Sequence, residues 1–396
     1  MRNWLKKSSV SLAAICMILI LMALPTGYED AAIYQGTDRV KARVLSTDES
    51  TVHSSGLIRS GEQYCQVELL GGKFEGQTTK AVNMLSGSLE SDKIFAKGDV
   101  AHVVVSYKDD QILTVMMSDH YRLGKEALLA VLFVALLLLF AGKAGLRAVY
   151  SFVITILALW KIMIPSCLNG LNPVWCGLLL TVILTIVIIF LVYGFDKKTI
   201  AASSGALLGV IVTCVMGCLF TDAFKIHGAV MSYSESLLYA GYQNLNLTQI
   251  FMSGIFIGAS GAMMDLAVDI TSAVNEVIEK KPSIGWREAA GSGMNVGRAA
   301  MGTMTTTLLL AYSGGYIALL MTFMAQGTPI DNILNYKYVS AEILDTIVGS
   351  FGLVTVAPFT AVTSALLLTG KKKKAVEKEA LSLHRPGERG EGGMVL

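Results

Sequence analysis

The chain has 396 residues, of which 53% are hydrophobic and only 16% are charged, and its mean hydropathy is +0.57. Soluble globular proteins carry about a quarter charged residues, so this composition excludes an ordinary soluble domain and predicts an integral membrane protein. The net charge of +2 is small and no basic face or aromatic platform is present in the sequence, which argues against binding to nucleic acid.

Apolar segments of bilayer length recur along the chain. A hydrocarbon core of about 30 Å needs roughly 20 apolar residues in a helix. On this criterion we predict an all-α polytopic membrane bundle with about eight transmembrane helices. The predicted spans are 9–26, 126–142, 146–165, 173–193, 200–221, 249–272, 299–323 and 343–369.

The first span follows a basic start formed by Arg2, Lys6 and Lys7. Such a segment is either a cleaved signal peptide or a retained anchor. The stretch MALPTG after its apolar core lacks a clean small-x-small cleavage site, so we predict that residues 1–29 are a retained signal anchor. Either fate places the residues that follow outside the membrane.

A soluble segment, at about 30–122, separates the first two predicted spans. Its hydrophobic residues alternate as strands do, in VKARVL, YCQVELL, TTKAVNML, DVAHVVVSY and QILTVMM. Five short strands predict a small β-rich extracytosolic domain, either a barrel or a sandwich. Such a domain could bind an oligosaccharide or a peptide, but no aromatic cluster marks a groove, and a docking or gating module fits the sequence better.

The remaining residues divide into a predicted seven-span transmembrane domain, 123–370, and a cytoplasmic tail, 371–396. The tail begins with four lysines, which stop translocation and could also touch anionic lipid head groups. Beyond them the tail is charged and glycine-rich, which is typical of disordered chain.

The distribution of basic residues predicts the orientation, because cytoplasmic loops carry an excess of lysine and arginine. The predicted outer segments 166–172, 222–247 and 325–342 carry only Lys225 and Lys337. We therefore predict a multi-pass protein of the bacterial cytoplasmic membrane with both termini inside. The predicted inner segments carry Lys143, Arg147, Lys197, Lys198, Lys280, Lys281, Arg287 and Arg298.

The sixth predicted span carries acids at a depth where water is scarce. At 100° per residue, Asp265, Asp269, Ser272 and Glu276 lie on one stripe of a helix. Carboxylates facing lipid cost several kcal/mol each, so the stripe is predicted to face protein or water. The outer half of the same stripe carries small residues that would let a neighbouring backbone approach: Gly254, Gly258 and Gly261.

Two roles are open for these acids. A carboxylate at this depth can bind a proton or cation, as a relay across the membrane requires. Alternatively, Asp265 pairs with an arginine or caps a broken helix, which would make the stripe structural.

The seventh predicted span supplies neighbours for this stripe. Arg298 lies near the inner boundary, where it could neutralise Asp269 or Glu276, and Gly302 on its stripe would permit close packing. Hydroxyls of this span could bond across helices or coordinate a cation, although hydroxyls in membrane helices mostly bond their own backbone. The hydroxyl-bearing candidates are Thr303, Thr305, Thr306 and Thr307.

Helix breakers interrupt the last two predicted spans, with Gly314 and Gly315 in one and Pro358 in the other. Broken helices in transporters line cavities and expose backbone groups. The alternative is an ordinary kink that neighbouring helices pack against.

The sequence lacks the motifs of an enzyme. It contains no CxxC, HExxH, GxSxG or P-loop pattern. We therefore predict neither catalysis nor a metal or cofactor. Cys167 and Cys176 flank a predicted outer loop and could form a disulfide.

Three stretches resemble the YibE/F family of bacterial multispanning membrane proteins, and the layout is similar to its YibE-type member. They are GAMMDLAVDITSAVNEV, SGMNVGRAAMGTMTTTLLLAYSGG and AEILDTIVGSFGLVTVAPFTAV. The resemblance covers about 126–370 and implies a membrane location and a transport role, without a substrate. The positions it points to are Asp265, Asp269, Ser272, Glu276, Gly297, Arg298, Gly302, Thr303, Thr307 and Glu342.

Two functions follow from these observations. The first is a permease or permease subunit that relays a proton or cation through the acids of the sixth span and moves an unknown small solute or ion. The second is a non-transporting assembly or sensory subunit, whose extracytosolic domain binds a ligand or partner. For either function, the expected partners are the lipid bilayer and a related YibE/F-like membrane subunit.

Overall fold

The computed structural model describes the backbone of residues 2–28 and 36–383, and the side chains of 10–28 and 36–369. This part of the chain forms two compact units. The helical unit comprises Met1–Thr26 and Leu146–Leu396, and the other unit comprises Gly27–Gly145.

Most of the described chain is helical. Short π- and 3₁₀-helical turns join some of the helices, at Leu159–Met163, Gly228–Val230 and Gly314–Tyr316. The α-helices are α1 (Arg2–Ala23), α2 (Leu123–Ala158), α3 (Ile164–Leu168), α4 (Pro173–Tyr193), α5 (Lys197–Ala223), α6 (Ser234–Tyr239), α7 (Leu247–Lys280), α8 (Trp286–Ser313), α9 (Ile317–Ala325), α10 (Ile330–Asn335) and α11 (Lys337–Leu383).

Within the described residues, six helical stretches are long and apolar enough to cross a bilayer, consistent with a multi-pass membrane protein. A shorter apolar helix, Val10–Ala23, corresponds to the first predicted span. The sequence prediction of eight spans is therefore not confirmed. The six stretches are Leu123–Leu168, Pro173–Tyr193, Lys197–Ala223, Leu247–Lys280, Trp286–Ala325 and Lys337–Thr369.

The first of these stretches contains two of the predicted spans. Its 46 residues would extend about 70 Å as one straight helix, more than twice the thickness of a bilayer core. Gly142 divides it, because its φ of 52° and ψ of −122° are not helical. Glycine adopts this positive φ without a steric penalty. The break lies where the sequence predicts the loop between the second and third spans.

The apolar face of α7 forms the centre of the helical unit. Phe256, Met263 and Ile270 are fully buried, and α7 packs against α4, α5, α8 and α11. This face excludes the charged residues of the same helix, which lie on the opposite side.

Glycines bring α5 and α11 into close contact. A Cβ atom at Gly205 would lie 2.6 Å from Thr360 Cα, and one at Gly209 would lie 3.2 Å from the Gly352 carbonyl oxygen. On the other side of α11, a Cβ at Gly349 would lie 3.1 Å from Ala259 Cβ of α7. These helices can approach because no side chain stands between them.

The last helix continues past the predicted membrane boundary. The backbone of α11 is helical through Leu383, so the first part of the predicted tail, 371–396, belongs to a helix. The sequence predicts disorder after Lys374, whereas the backbone of 375–383 is helical, and residues 384–396 lie outside the described part of the chain.

The thiols of Cys167 and Cys176 are close together. Both are free cysteines, on α3 and α4, and their side chains lie close enough to interact electrostatically. The two cysteines therefore lie side by side but do not form the disulfide bond that the sequence suggested.

The smaller unit contains a five-stranded barrel. Its strand order is β1-β2-β3-β5-β4, closed by antiparallel pairing of β4 with β1, and β3 meets β5 in parallel. Of the two architectures that the sequence predicts for this segment, a barrel and a sandwich, the described residues form the barrel. The strands are β1 (Thr37–Ser55), β2 (Ile58–Leu69), β3 (Thr78–Ser86), β4 (Val100–Lys108) and β5 (Gln111–His120).

The connection between β3 and β4 closes one end of the barrel. Phe95 on this connection is fully buried, and its backbone N–H donates to Gln63 Oε1 at 3.1 Å. Gln63 Nε2 in turn donates to the Phe95 carbonyl at 2.9 Å, and Asn83 Nδ2 donates to Gln63 Oε1 at 3.1 Å. These bonds satisfy polar groups that would otherwise be costly to bury.

Asp92 orders the same connection. Its carboxylate accepts backbone hydrogen bonds from Ser86 at 2.9 Å, Gly87 at 2.7 Å and Ser88 at 3.0 Å. These bonds favour the charged form, so they hold the pKa of Asp92 below its usual value. The carboxylate therefore stabilises the loop at neutral pH, and the contribution is lost only as the pH falls through this lowered pKa.

We expect Asp92→Asn to loosen this loop, because an amide nitrogen cannot accept the hydrogen bonds that the second carboxylate oxygen receives. Hydrogen–deuterium exchange at the amides of 86–88 should become several-fold faster at neutral pH. Glu90→Gln, which removes a charge from the same loop, is the control and should leave exchange unchanged. Equal exchange in Asp92→Asn and wild type would contradict this account.

We expect Gly205→Ala to destabilise the helical unit, since its methyl group would overlap Thr360. Overpacking of this kind costs about 1–3 kcal/mol, which should lower the Tm of the detergent-purified protein. Gly302→Ala is the matched control: a Cβ there meets nothing within 4 Å, and alanine is the better helix former. The account fails if the two variants have the same Tm.

Candidate functional site

The acidic stripe of α7 is not covered by any described part of this chain. Asp265, Asp269, Ser272 and Glu276 are all exposed. The sequence predicts that the stripe faces protein or water. Because these side chains are exposed, that protein is not another described helix of the same chain. The reason is the competing apolar face of α7, which packs into the core and turns the stripe outward.

The glycines of the stripe are mostly open as well. A Cβ at Gly254 or Gly261 would meet nothing within 4 Å, and the same is true of Gly302 on α8. Only Gly258 among these four has a neighbour: its Cβ would lie 2.9 Å from the hydroxyl oxygen of Tyr312. The prediction that all four pack helices together therefore fails within this chain, where the packing glycines lie on other faces.

At the end of the stripe nearest the C-terminus of α7, a tyrosine of α4 contacts the acidic face. The hydroxyl of Tyr193 lies 2.7 Å from Ser272 Oγ and donates to the Val268 carbonyl at 2.6 Å. Tyr193 also lies close enough to Asp269 for the two to interact electrostatically. This part of the stripe is therefore bordered by hydroxyl groups from two helices.

The structure does not contain the predicted ion pair between Arg298 and an acid of α7. Glu276 pairs with Lys280 on its own helix, at 2.8 Å. Arg298 Nη1 instead donates to Asn295 Oδ1 at 3.4 Å. Among the described residues, neither Asp265 nor Asp269 forms an ion pair.

The packing of α8 explains where Arg298 points. A Cβ at Gly297 would lie 3.0 Å from Ile270 Cδ1 of α7, so this residue faces α7. The next residue, Arg298, is rotated by about 100° away from that contact. It lines an open groove of about 610 Å³ between α8 and α11, together with Glu288 and Pro358.

The threonines of α8 bond their own helix. Each hydroxyl donates to a carbonyl three or four residues earlier, which is the alternative that the sequence left open. The distances are 3.0 Å for Thr303 to Ala300, 2.9 Å for Thr305 to Met301, 3.3 Å for Thr306 to Gly302 and 3.0 Å for Thr307 to Thr303.

A second group of acids lies on α11 and was not identified from the residues alone. Only the family resemblance points to Glu342, and neither the resemblance nor the residue pattern points to Asp345. Both carboxyls have a buried oxygen without a hydrogen-bond partner in the described chain, as does the hydroxyl of Tyr312. The spacing of Glu342, Asp345, Thr346 and Gly349 on one helix face is the signal that could have revealed them.

Comparison with known proteins places the chain in a family. The family model described as YibE/F-like protein matches residues 129–370, more than half of the chain. No curated protein and no solved structure matches the chain. The matched region includes both groups of acids, on α7 and on α11. The chain therefore belongs to the YibE/F-like family.

Proposed function

We propose that this chain is a permease subunit in which Asp265 and Asp269 relay a proton or small cation. The supporting observation is a pair of carboxylates, one helical turn apart on a helix of membrane-spanning length, without an ion-pair partner among the described residues. Uncompensated carboxylates are costly in a bilayer and usually mark ion or proton pathways.

Because the stripe is exposed in this chain, the relay needs something else to cover it. Lipid against Asp265 and Asp269 would be unfavourable, so a second membrane subunit or a water-filled space covers them in this proposal. The open glycines Gly254 and Gly261 suit a second subunit, because they would let its helix approach closely. The expected occupant is a related YibE/F-like membrane subunit.

The setting of this proposal is the bacterial cytoplasmic membrane, with both termini inside and residues 30–122 outside. The transported species is a small solute or ion. Catalysis has no part in the proposal.

We expect Asp265→Asn and Asp269→Asn each to reduce proton flux to near background in proteoliposomes, because the amide cannot bind and release a proton. Flux is followed with an internal pH-sensitive dye under an imposed potential, with sodium or potassium outside. Glu276→Gln is the matched control: it removes a carboxylate that already pairs with Lys280 and should retain flux. Unchanged flux in both aspartate variants would exclude the relay.

A second candidate function is a non-transporting assembly or sensory subunit, which the uncovered polar face of α7 and α8 also favours. We expect Gly261→Leu to weaken association with a partner, since Gly261 faces open space in this chain and leucine would block a close approach. Size-exclusion chromatography with light scattering measures the assembly.

Val354→Phe on the exposed side of α11 is the control for this experiment and should leave the assembly intact. Association without ion flux in the wild-type protein would favour the second function over the permease. A wild-type protein that is monomeric in lipid nanodiscs, and that does not co-purify with a co-expressed related YibE/F-like subunit, would remove the support for both a covering subunit and this alternative.

A further inference from the structure

The acids of α11 lie where three helices meet. Glu342 and Asp345 are five and eight residues from the start of α11 at Lys337, about 8 and 12 Å along the helix axis. From α8, Tyr312 interacts electrostatically with both carboxyls. Its hydroxyl lies against Gly258 of α7, which leaves room for it. The absence of a side chain at Gly258 therefore lets α8 bring a hydroxyl to the acids.

Apolar contacts fix the rotation of α11 at this level. Leu344 and Val348 are almost fully buried and pack in one cluster with Ile255 of α7. These residues alternate with the acids along the helix. With the apolar residues held against α7, the carboxyls of Glu342 and Asp345 are held beside α8 and cannot turn away without breaking the cluster.

Several oxygens in this region are buried without a hydrogen-bond partner among the described residues. They belong to both carboxyls, to Tyr312 and to Thr346, whose side chain is only 8% exposed. Thr346 lies one turn after Glu342, on the same face of α11. Buried polar atoms are nearly always paired, with protein or with water, so unpaired oxygens from two helices indicate that water or a bound ligand pairs with them.

The charge around the site is negative. No lysine, arginine or histidine in the described chain forms an ion pair with Glu342 or Asp345. The titratable groups that interact with them are Tyr312 and Tyr316, and Tyr316 also interacts with Tyr338 of α11. The other packed elements, the end of α5 and the turn at Gly228–Val230, lie next to the exposed residues Asp222, Lys225 and His227, and the first residue of α11, Lys337, is also exposed.

A positive ligand is therefore required, and the donor set favours a proton over a metal. No three metal-binding side chains of histidine, cysteine, aspartate or glutamate converge in the described residues. Two ionised carboxylates close together in an apolar environment repel each other, and burying a neutral carboxylic acid costs far less than burying its anion.

We propose that Glu342 and Asp345 form a partly buried proton-binding site beside the hydroxyl of Tyr312. The proton comes from water and binds a carboxylate oxygen, and its release restores the carboxylate. Asp265 lies seven residues beyond Gly258 on α7, about 10 Å along the axis. A role of this site in the relay rests on the proposed function. The protonation of the two carboxyls is independent of that function.

Infrared difference spectroscopy of the purified full-length protein in nanodiscs tests the site. The wild-type protein at neutral pH should show a C=O stretch of a neutral carboxyl group, which shifts in D₂O and disappears as the pH is raised. Glu342→Gln and Asp345→Asn should each remove or shift this band. Glu276→Gln, which alters an exposed carboxylate paired with Lys280, should leave the band unchanged.

A conservative change covers the case in which an acid variant does not fold. Tyr312→Phe keeps the ring and removes only the hydroxyl, so it should shift the frequency of the band without abolishing it. A wild-type spectrum without a neutral carboxyl band, or a band that survives both acid substitutions in folded protein, would overturn the proposal.

The metal alternative has its own outcome. If sodium, potassium, magnesium or calcium ions remove the band at constant pH, the site binds a metal ion and the proposal is wrong. The spectra do not depend on transport. A band assigned to these acids in a protein without proton flux would support the proton-binding site and contradict the permease. Proton flux without the band would support the permease and contradict the proton-binding site.

Discussion

The apolar face of α7 is the constraint on which the rest of the helical unit depends. Residues such as Met263 and Ile270 are buried against α5, α8 and α11, and burial of this kind is the largest favourable term in packing. Once that face is inside, the rotation of α7 is fixed. Asp265 and Asp269, on the other side of the same helix, can then only face outward from the chain.

The packing of α8 and α11 follows from the same constraint. Gly297 and Gly293 allow α8 to lie against Ile270 of α7, which turns Arg298 towards α11 and away from the acids. The contact of α11 with α7 and α5 then places Glu342 and Asp345 beside Tyr312. One set of close glycine contacts thus separates the exposed acids of α7 from the half-buried acids of α11.

The two groups of acids differ in what surrounds them. The stripe on α7 is open within one chain and needs a surrounding that this chain does not supply. The acids on α11 are partly buried by the chain itself and have oxygens without partners among the described residues. A carboxylate is costly in either place. In the functions that we propose, another subunit or water compensates the acids of α7, and a bound proton compensates the acids of α11.

The sequence by itself determined the membrane class, the β-rich segment and the stripe of α7, because composition and periodicity are local properties of the chain. It also indicated the family through the motifs around Asp265 and Arg298. Only the tertiary structure decided which face of α7 is buried, since the glycine stripe and the apolar stripe were both plausible packing surfaces. The groove that Arg298 lines, the antiparallel pairing of β1 with β4 that closes the barrel and the proximity of Asp345 to Tyr312 depend on residues far apart in the chain. No local pattern encodes that proximity.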